Sequence, residues 1–488
     1  MQNREFQQTS RQWGNRELNQ GNHPLLVSPA GTGKTYIATL LIKDRIKLKK
    51  RMLVLVGTEE IFDQWIEDCI DRKINYGYIN QEGVIGRGKN VYICMWQSLS
   101  NLLQRLPEKF VNSFDEIIID EAHHCASPTL ERIFEHFKKC QLLLLTATPY
   151  RMDNKPLGKY ANKIHIAITQ KESAEKGYLC KPIIIMPNEY KMHSPNNIKK
   201  INMTEQKKYI HSKKIIGDII KIYKDVFNGE LIMVPCSSHS HAVEITEMYR
   251  NEGWIVEHIH GKLDKTARRS IIRRAREGKI NILTTYDVGK EGLNIKNIKG
   301  VLWLRLTESL VTWIQMNTRA ARIIEGKTHY IIIDPMGNIL LHGSPDIDRE
   351  WSLYTDYTPG QDIPETPTTR ICPNCSVVNS IELNQCWICG YDWKTGMIDG
   401  VLLEKKKRRL PTMIDGELVY LDDDRMVENE RRKENNNDLN NIDNTSDNNE
   451  HIDSDIPVLK KSEKLAILQG SLTGVGAKNK FKEGLKWL

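Results

Sequence analysis

The stretch Val27–Ile42, "VSPAGTGKTYIATLLI", decides how the rest of the chain is read. A glycine-rich loop stands between a short apolar strand, "PLLVS", and a helical segment, the setting a phosphate-binding loop requires. Gly31 and Gly33 let backbone N–H groups close around phosphate oxygens, and the helix N-terminus adds partial positive charge. Pro29, Ala30, Gly31, Thr32 and Gly33 are expected to cradle a nucleotide. Lys34 would reach the β- and γ-phosphates, and the Thr35 hydroxyl would ligate Mg²⁺. The strict pattern begins with glycine where this chain has Ser28.

Working outward, "RMLVLVG", "NVYICMW", "DEIIID" and "QLLLLT" alternate with amphipathic segments up to about residue 150. Strands alternating with helices predict a parallel α/β sheet. A second series, "LIMVPC", "WIVEHIH", "INILTT", "GVLWLRL" and "HYIIID", begins near Leu231. The expected architecture is therefore α/β, two tandem doubly wound parallel-sheet domains followed by a small four-cysteine module. The boundaries are drawn at 1–168 and 229–345 for the two domains, with a helical connecting segment at 169–228. A cysteine module at 368–395 follows a proline-marked linker, and 396–488 holds a basic run, an Asn/Asp-rich stretch and a short C-terminal helix. The Asn/Asp-rich stretch is too poor in apolar residues to order itself.

With 488 residues the chain is too long for a single core. A net charge of +8 permits a polyanionic partner without requiring one. The polar N-terminus carries no secretory signal, and no apolar run approaches the ~20 residues needed to span a bilayer. A cytoplasmic setting, bacterial or in a phage-infected host, is expected, with no membrane partner. Cys69, Cys94, Cys125, Cys140, Cys180 and Cys236 read as reduced core thiols.

In "EIIIDEAHH" (116–124), Asp120 ends an apolar strand, where a carboxylate is costly unless paired or metal-bound. It is expected to hold Mg²⁺, with Glu121 orienting and deprotonating the attacking water. GTGKT, DEAH, TATP (146–149) and the Gln315, Arg319, Arg322 spacing of "QMNTRAARI" come in the order found in superfamily 2 helicases, which the chain resembles over roughly residues 4–335. That resemblance implies that the two domains are RecA-like, with ATP hydrolysis coupled to movement on nucleic acid. "REFQQ" is similar to the family's adenine-recognition motif, with Gln7 reading the base and Phe6 or Arg4 packing beside it. "LVLVGTEEIFDQW" and "VYICMWQSL" resemble segments lining the nucleic-acid track and implicate Thr58, Gln64, Trp65, Gln97 and Ser98. "ILTTYDVGKEGLNI" resembles the motif joining nucleotide to strand, through Thr284, Gly292 and Asn294. Thr146 and Thr148 of TATP would relay between the two sites.

Arg319 and Arg322 are expected to meet the γ-phosphate from the second domain. Guanidinium suits this because its planar fork stays charged and donates several bonds. Thr318 stands where the family usually has glycine and Asn294 where it has aspartate, so both place a changed side chain on the closing face.

Residues 262–279, "KLDKTARRSIIRRAREGK", hold eight basic and two acidic residues. Ile271, Ile272 and Ala275 give this helix a core face and leave Arg269, Arg273 and Arg276 outward. A solvated face and a phosphate-contacting face both stay open. "CPNCSVVNSIELNQCWICGYDW" pairs Cys372 with Cys375 and Cys386 with Cys389, a Zn²⁺-binding spacing whose closed four-thiolate site is structural. Trp387, Tyr391 and Trp393 either stack on bases or pack the module.

Within the family, "EKGYLCKPIIIMP" and "LRLTESLVTWIQMNTRAARIIEGKTHYIIID" followed by paired cysteines resemble the RadD-like DNA helicases. The resemblance favours DNA over RNA, a repair, recombination or replication setting, a monomer, and a single-stranded DNA-binding or recombination protein as partner of the C-terminal region. The alternatives are an RNA-directed helicase and an ATP-gated clamp that does not unwind.

Overall fold

The computed structural model describes residues 4–186, 219–286, 295–361, 369–374, 377–380, 383–386, 389–398, 401–402, 412–414 and 417–419. They fall into two compact units, the first holding both large sheets and the second holding the cysteine cluster.

The first sheet contains β1 (Pro24–Val27), β2 (Met52–Val56), β3 (Tyr76–Asn80), β4 (Gly83–Ile85), β5 (Val91–Met95), β6 (Glu116–Asp120), β7 (Gln141–Thr146) and β8 (Lys163–Ile166). Their spatial order is β4-β3-β5-β2-β6-β7-β1-β8. All neighbours run parallel except β4, which returns antiparallel on β3. The continuous apolar runs follow from burial on both faces. Leu53, Leu55, Ile117, Ile119, Leu142 and Leu144 point into one core. Val54, Val56, Ile118, Leu143 and Leu145 point into the other, as the two-residue strand period requires. Burying each such side chain contributes roughly 1.5–3 kcal/mol. At the amino end of β6, buried Glu116 accepts from Arg45 Nε at 2.7 Å, and Arg45 also donates to Asn19. That pair ties the helix Lys34–Lys47 to the strand that ends in Asp120.

The second sheet contains β9 (Lys181–Ile185), β10 (Ile232–Pro235), β11 (Val256–His260), β12 (Ile282–Tyr286), β13 (Gly300–Leu302) and β14 (His329–Ile333). Its order is β11-β12-β10-β13-β14-β9, entirely parallel. Here the structure corrects one expectation. The segment 169–228, read as helical, supplies an edge strand of this sheet, with Ile183 in register with Ile331. A five-residue apolar run beside Gly177 is too short to be told from a helix by its period. Pro182 fits the assignment, because an edge strand tolerates a missing N–H. Residues 187–218, the Asn/Asp-rich stretch and the C-terminal helix lie outside the described residues.

Candidate active site

The chemistry-bearing residues gather at the carboxyl ends of β1, β6 and β7, where open parallel sheets bind ligands. Gly31 and Gly33 take φ of +89° and +102°, a left-handed backbone open to glycine at little cost. Gly33 caps the helix that starts at Lys34, leaving its first amides facing the loop. A Cβ at Gly33 would lie 2.8 Å from Gln7 Nε2. Ser28 does not open the loop: its Oγ is 2.6 Å from Thr32 Oγ1, and the Thr32 hydroxyl donates to Pro29 O at 2.6 Å. Thr35 stands half-buried one position into the helix.

Lys34 Nζ lies 3.4 Å from Glu121 Oε1, with its side chain almost wholly buried. Asp120 is also buried. Its Oδ2 accepts from Trp65 Nε1 at 3.0 Å, and its Oδ1 from the Glu121 amide at 3.0 Å. Burial pushes the Asp120 carboxyl up to about 6; Glu121 adds to the rise, while Lys34 and Trp65 oppose it. A buried carboxylate with these partners suits a divalent cation, which would supply the missing positive charge. Glu121 itself sits at φ +58°, a sparsely populated region for a side-chain-bearing residue that is enriched at functional sites.

Gln7 is buried against the loop: Oε1 accepts from the Arg4 amide at 3.1 Å, and Nε2 donates to Thr32 O at 3.1 Å. Beside it, the Arg4 guanidinium lies 3.8 Å from the Tyr178 ring centroid, and Phe6 lies 6.0 Å from it. Sequence reasoning missed Tyr178, which arrives from beyond the first sheet. "GYLC" carries no signal except its place just before β9.

The second sheet's contribution meets the first sheet's here. Gln315, on the buried helix Leu310–Ala320, places Nε2 within 3.4 Å of Glu121 Oε2 and of His123 Nδ1. His123 is a further residue the sequence reading passed over. Arg319 is buried on the same helix. Arg322 follows it, and its Cγ lies 3.6 Å from where a Gly31 Cβ would stand. Desolvation, then Arg319 and Arg276, push the Arg322 guanidinium down to about 9. Crowding cations over a phosphate-type loop makes a site for an anion. Thr318 is buried, and its hydroxyl donates to Gln315 O at 3.0 Å within its own helix.

Of the residues expected to touch the nucleic-acid track, Trp65 is corrected. It is fully buried and serves Asp120 from the core. Gln64 and Gln97 are exposed, and Gln97 donates to Gly57 O at 3.3 Å. Thr58 caps the helix Glu59–Asp71, and Ser98 is buried. Thr146 Oγ1 donates to Thr148 O at 2.7 Å, while the buried Thr148 Oγ1 has no protein partner among the described residues. Thr284 is buried, with its Oγ1 2.6 Å from Thr246 Oγ1. Gly292 and Asn294 lie outside the described residues. The basic helix Lys265–Arg276 buries Ile271, Ile272 and Ala275 as expected. Its outward side pairs with the first sheet's helix: Lys265 and Arg269 with Glu59 at 3.0 and 3.1 Å, and Arg268 with Glu60 at 3.0 Å.

In the second unit, the sulfurs of Cys372, Cys386 and Cys389 lie within 4.8 Å of one another. Cys372 Sγ and Cys389 Sγ are 3.5 Å apart, far beyond a disulfide bond and near the separation of two thiolates on one Zn²⁺. Gly390 follows at φ +70°, and its amide donates to Cys386 O at 2.8 Å. Cys375 and Trp387 lie outside the described residues, and Tyr391 and Trp393 pack edge-to-face at 5.8 Å.

Residues 1–151 match the family described as "Type III restriction enzyme, res subunit", and residues 213–324 match "Helicase conserved C-terminal domain". The chain belongs to the superfamily 2 helicases. ATP hydrolysis follows from that membership. A "51.5 kDa protein" of a Lactococcus phage is 26% identical to this helicase over 409 residues, covering 81% of this chain and 82% of that one. "Putative mitochondrial ATP-dependent helicase irc3" of Schizosaccharomyces pombe is 27% identical, over 68% of this chain and 57% of the relative. "DNA 3'-5' translocase XPB2" of Sulfurisphaera tokodaii is 22% identical, over 56% and 68% respectively. Among solved structures, "The fragment structure of a putative HsdR subunit of a type I restriction enzyme from Vibrio vulnificus YJ016" shares the fold, with a TM-score of 0.53 at 22% identity over 67% of this helicase and 63% of that chain. Among the described residues, no helix is long and apolar enough to cross a membrane.

Proposed function

We propose that this helicase couples ATP hydrolysis to translocation on, or unwinding of, DNA. The observation that carries the reading is the meeting of Gln315 and Glu121 at 3.4 Å, with Arg322 above Gly31. It joins a water-orienting carboxylate of one sheet to cations of the other. Lys34 and the loop Pro29–Thr35 hold the phosphates, and Thr35 and Asp120 would hold Mg²⁺, which would supply positive charge against that of the phosphates. Glu121 takes the proton of the attacking water, with Gln315 aligning its carboxylate. Arg319 and Arg322 stabilise the charge that develops on the γ-phosphoryl group, a role worth on the order of 10³–10⁵ in rate. Because these arginines come from the second domain, hydrolysis waits for closure.

Gln7 reads the base, with Arg4, Phe6 and Tyr178 beside it. Thr58, Gln64, Gln97, Ser98, Thr146, Thr148 and Thr284, with Gly292 and Asn294, form the track and its link to the nucleotide. Cys372, Cys375, Cys386 and Cys389 would hold a structural Zn²⁺ in a RadD-like module; the separations of the three described sulfurs, those of Cys372, Cys386 and Cys389, fit ligands of one ion. A role in DNA repair or recombination, in a bacterial or phage-infected cytoplasm, fits the relative named as a DNA translocase and the phage relative.

The test is ATP turnover measured against single-stranded, duplex and forked DNA and against RNA, with Lys34→Ala as control. Stimulation by DNA above RNA is expected. Stimulation by RNA alone transfers the reading to an RNA motor, and no stimulation above the control sinks it.

A further inference from the structure

Behind the arginine helix lies a buried ammonium group with no part in the reaction just described. Lys327 is almost fully buried. Its Nζ donates to Ile298 O at 2.6 Å, to Arg322 O at 3.2 Å and, more closely still, to Ala320 O. Cys180 completes the arrangement: its amide donates to Ala321 O at 2.7 Å, and its thiol lies 3.6 Å from Arg322 O.

The carbonyls that end a helix have no partner within it. Glycine-based turns or water satisfy most of them. Here the carbonyls of three successive residues, Ala320, Ala321 and Arg322, are held by two side chains and an amide from elsewhere in the fold. Ile298, the third acceptor of Lys327, anchors the same ammonium to the loop before β13. The turn that carries Arg322 is therefore fixed from behind, while its side chain reaches over Gly31 in front.

A buried charge is an expensive way to cap a helix. Burial pushes the Lys327 ammonium down to about 8, with Lys299 and Arg322 adding to the fall and Cys180 and Glu230 opposing it. A neutral amine has one donor fewer than an ammonium, so only the charged form holds all three carbonyls.

We propose that Lys327 is a positioning residue for ATP hydrolysis, holding the turn that aims Arg322 at the γ-phosphate. The proposal rests on the reading of Arg322 given above. A misplacement of about 1 Å in such a group costs on the order of 10²-fold in rate.

The test uses the full chain, with nucleic acid at saturation, and compares the wild type with Lys327→Met, Lys327→Arg, Arg322→Ala and the double variant Lys327→Met/Arg322→Ala. Lys327→Met should lower kcat by about 10- to 100-fold with little change in KM for ATP. The double variant should be no slower than Arg322→Ala, because the two residues act through one group. Wild-type kcat should fall as pH rises through about 8, and Lys327→Met should lack that limb. Lys327→Arg, which stays charged, should recover part of kcat and lose the limb. Unchanged turnover in Arg322→Ala would sink the reading of Arg322 itself. A slow Arg322→Ala beside an unaffected Lys327→Met would overturn the positioning role alone. Should Lys327→Met fail to fold, Lys327→Arg decides: loss of the limb near pH 8 with kcat partly kept supports the proposal, and a limb equal to that of the wild type overturns it.

Discussion

Gln315 Nε2 and Glu121 Oε2 stand 3.4 Å apart, one on a helix of the second sheet and the other just beyond the end of β6. Glu121 is thereby addressed from two directions, since Lys34 Nζ lies 3.4 Å from its other oxygen. Glu121→Gln should cut stimulated turnover by about 10²–10⁴ while leaving ATP binding intact, because general-base catalysis is worth that much. Gln315→Ala should lose turnover as well, and its residual rate should no longer respond to nucleic acid. Equal stimulation in Gln315→Ala and wild type would show that the contact does not couple the sheets.

Asp120 gives a pH dependence whose sign runs against the ordinary carboxylate. Its folded pKa, about 6, lies above the usual 3.8, so the folded chain holds the proton more tightly. Its contribution to stability is greatest below the lower value and is lost as pH rises through about 6. Asp120→Asn should therefore raise the melting temperature of the nucleotide-free protein at neutral pH, by the equivalent of about 1–3 kcal/mol. The same variant should lose Mg²⁺-dependent nucleotide binding. A lower melting temperature would show that the Trp65 and backbone bonds outweigh the burial cost.

The ion pairs of Lys265, Arg268 and Arg269 with Glu59 and Glu60 cross from one sheet's helix to the other's. Exposed pairs contribute about 0–1 kcal/mol each and are weakened by salt. Replacing Glu59 and Glu60 with glutamine should lower basal turnover and weaken its dependence on salt. Turnover and salt response equal to wild type would show that closure does not rely on this seam.

Thr318 stands where the family usually has glycine. Its hydroxyl bonds within its own helix, and the side chain is buried. Thr318→Gly should then leave turnover per folded molecule unchanged and cost about 0.5–1 kcal/mol of stability, as glycine does in a helix interior. A several-fold rise in turnover would show instead that the Thr318 side chain hinders closure.

Metal analysis of the purified chain should find one zinc per molecule. Cys372→Ser or Cys386→Ser should lose it, with little change in ATP turnover without nucleic acid, because a closed thiolate site is structural. Full zinc content in both variants would show that these sulfurs are not its ligands.

Most of the first sheet was legible in the sequence. Its strands are continuous apolar runs separated by amphipathic segments, and the phosphate loop sits where strand gives way to helix. These are local signals, set by backbone conformation over a few residues. Asp120, Glu121, Gln315 and the arginines could be named on the same basis, because each has a fixed spacing within a short motif. The edge strand β9 could not, since its pairing with β14 joins residues nearly 150 positions apart. Trp65 illustrates the same limit. A tryptophan in "EEIFDQW" could equally face a strand of nucleic acid or the core, and only packing sets its indole against Asp120. Tyr178 beside Arg4, and Lys327 beneath the turn of Arg322, likewise depend on tertiary contact. The sequence by itself determined which chemical groups this helicase carries and on which local elements. The tertiary structure decided which of them meet, because burial and hydrogen-bond satisfaction are settled between distant segments and not along the chain.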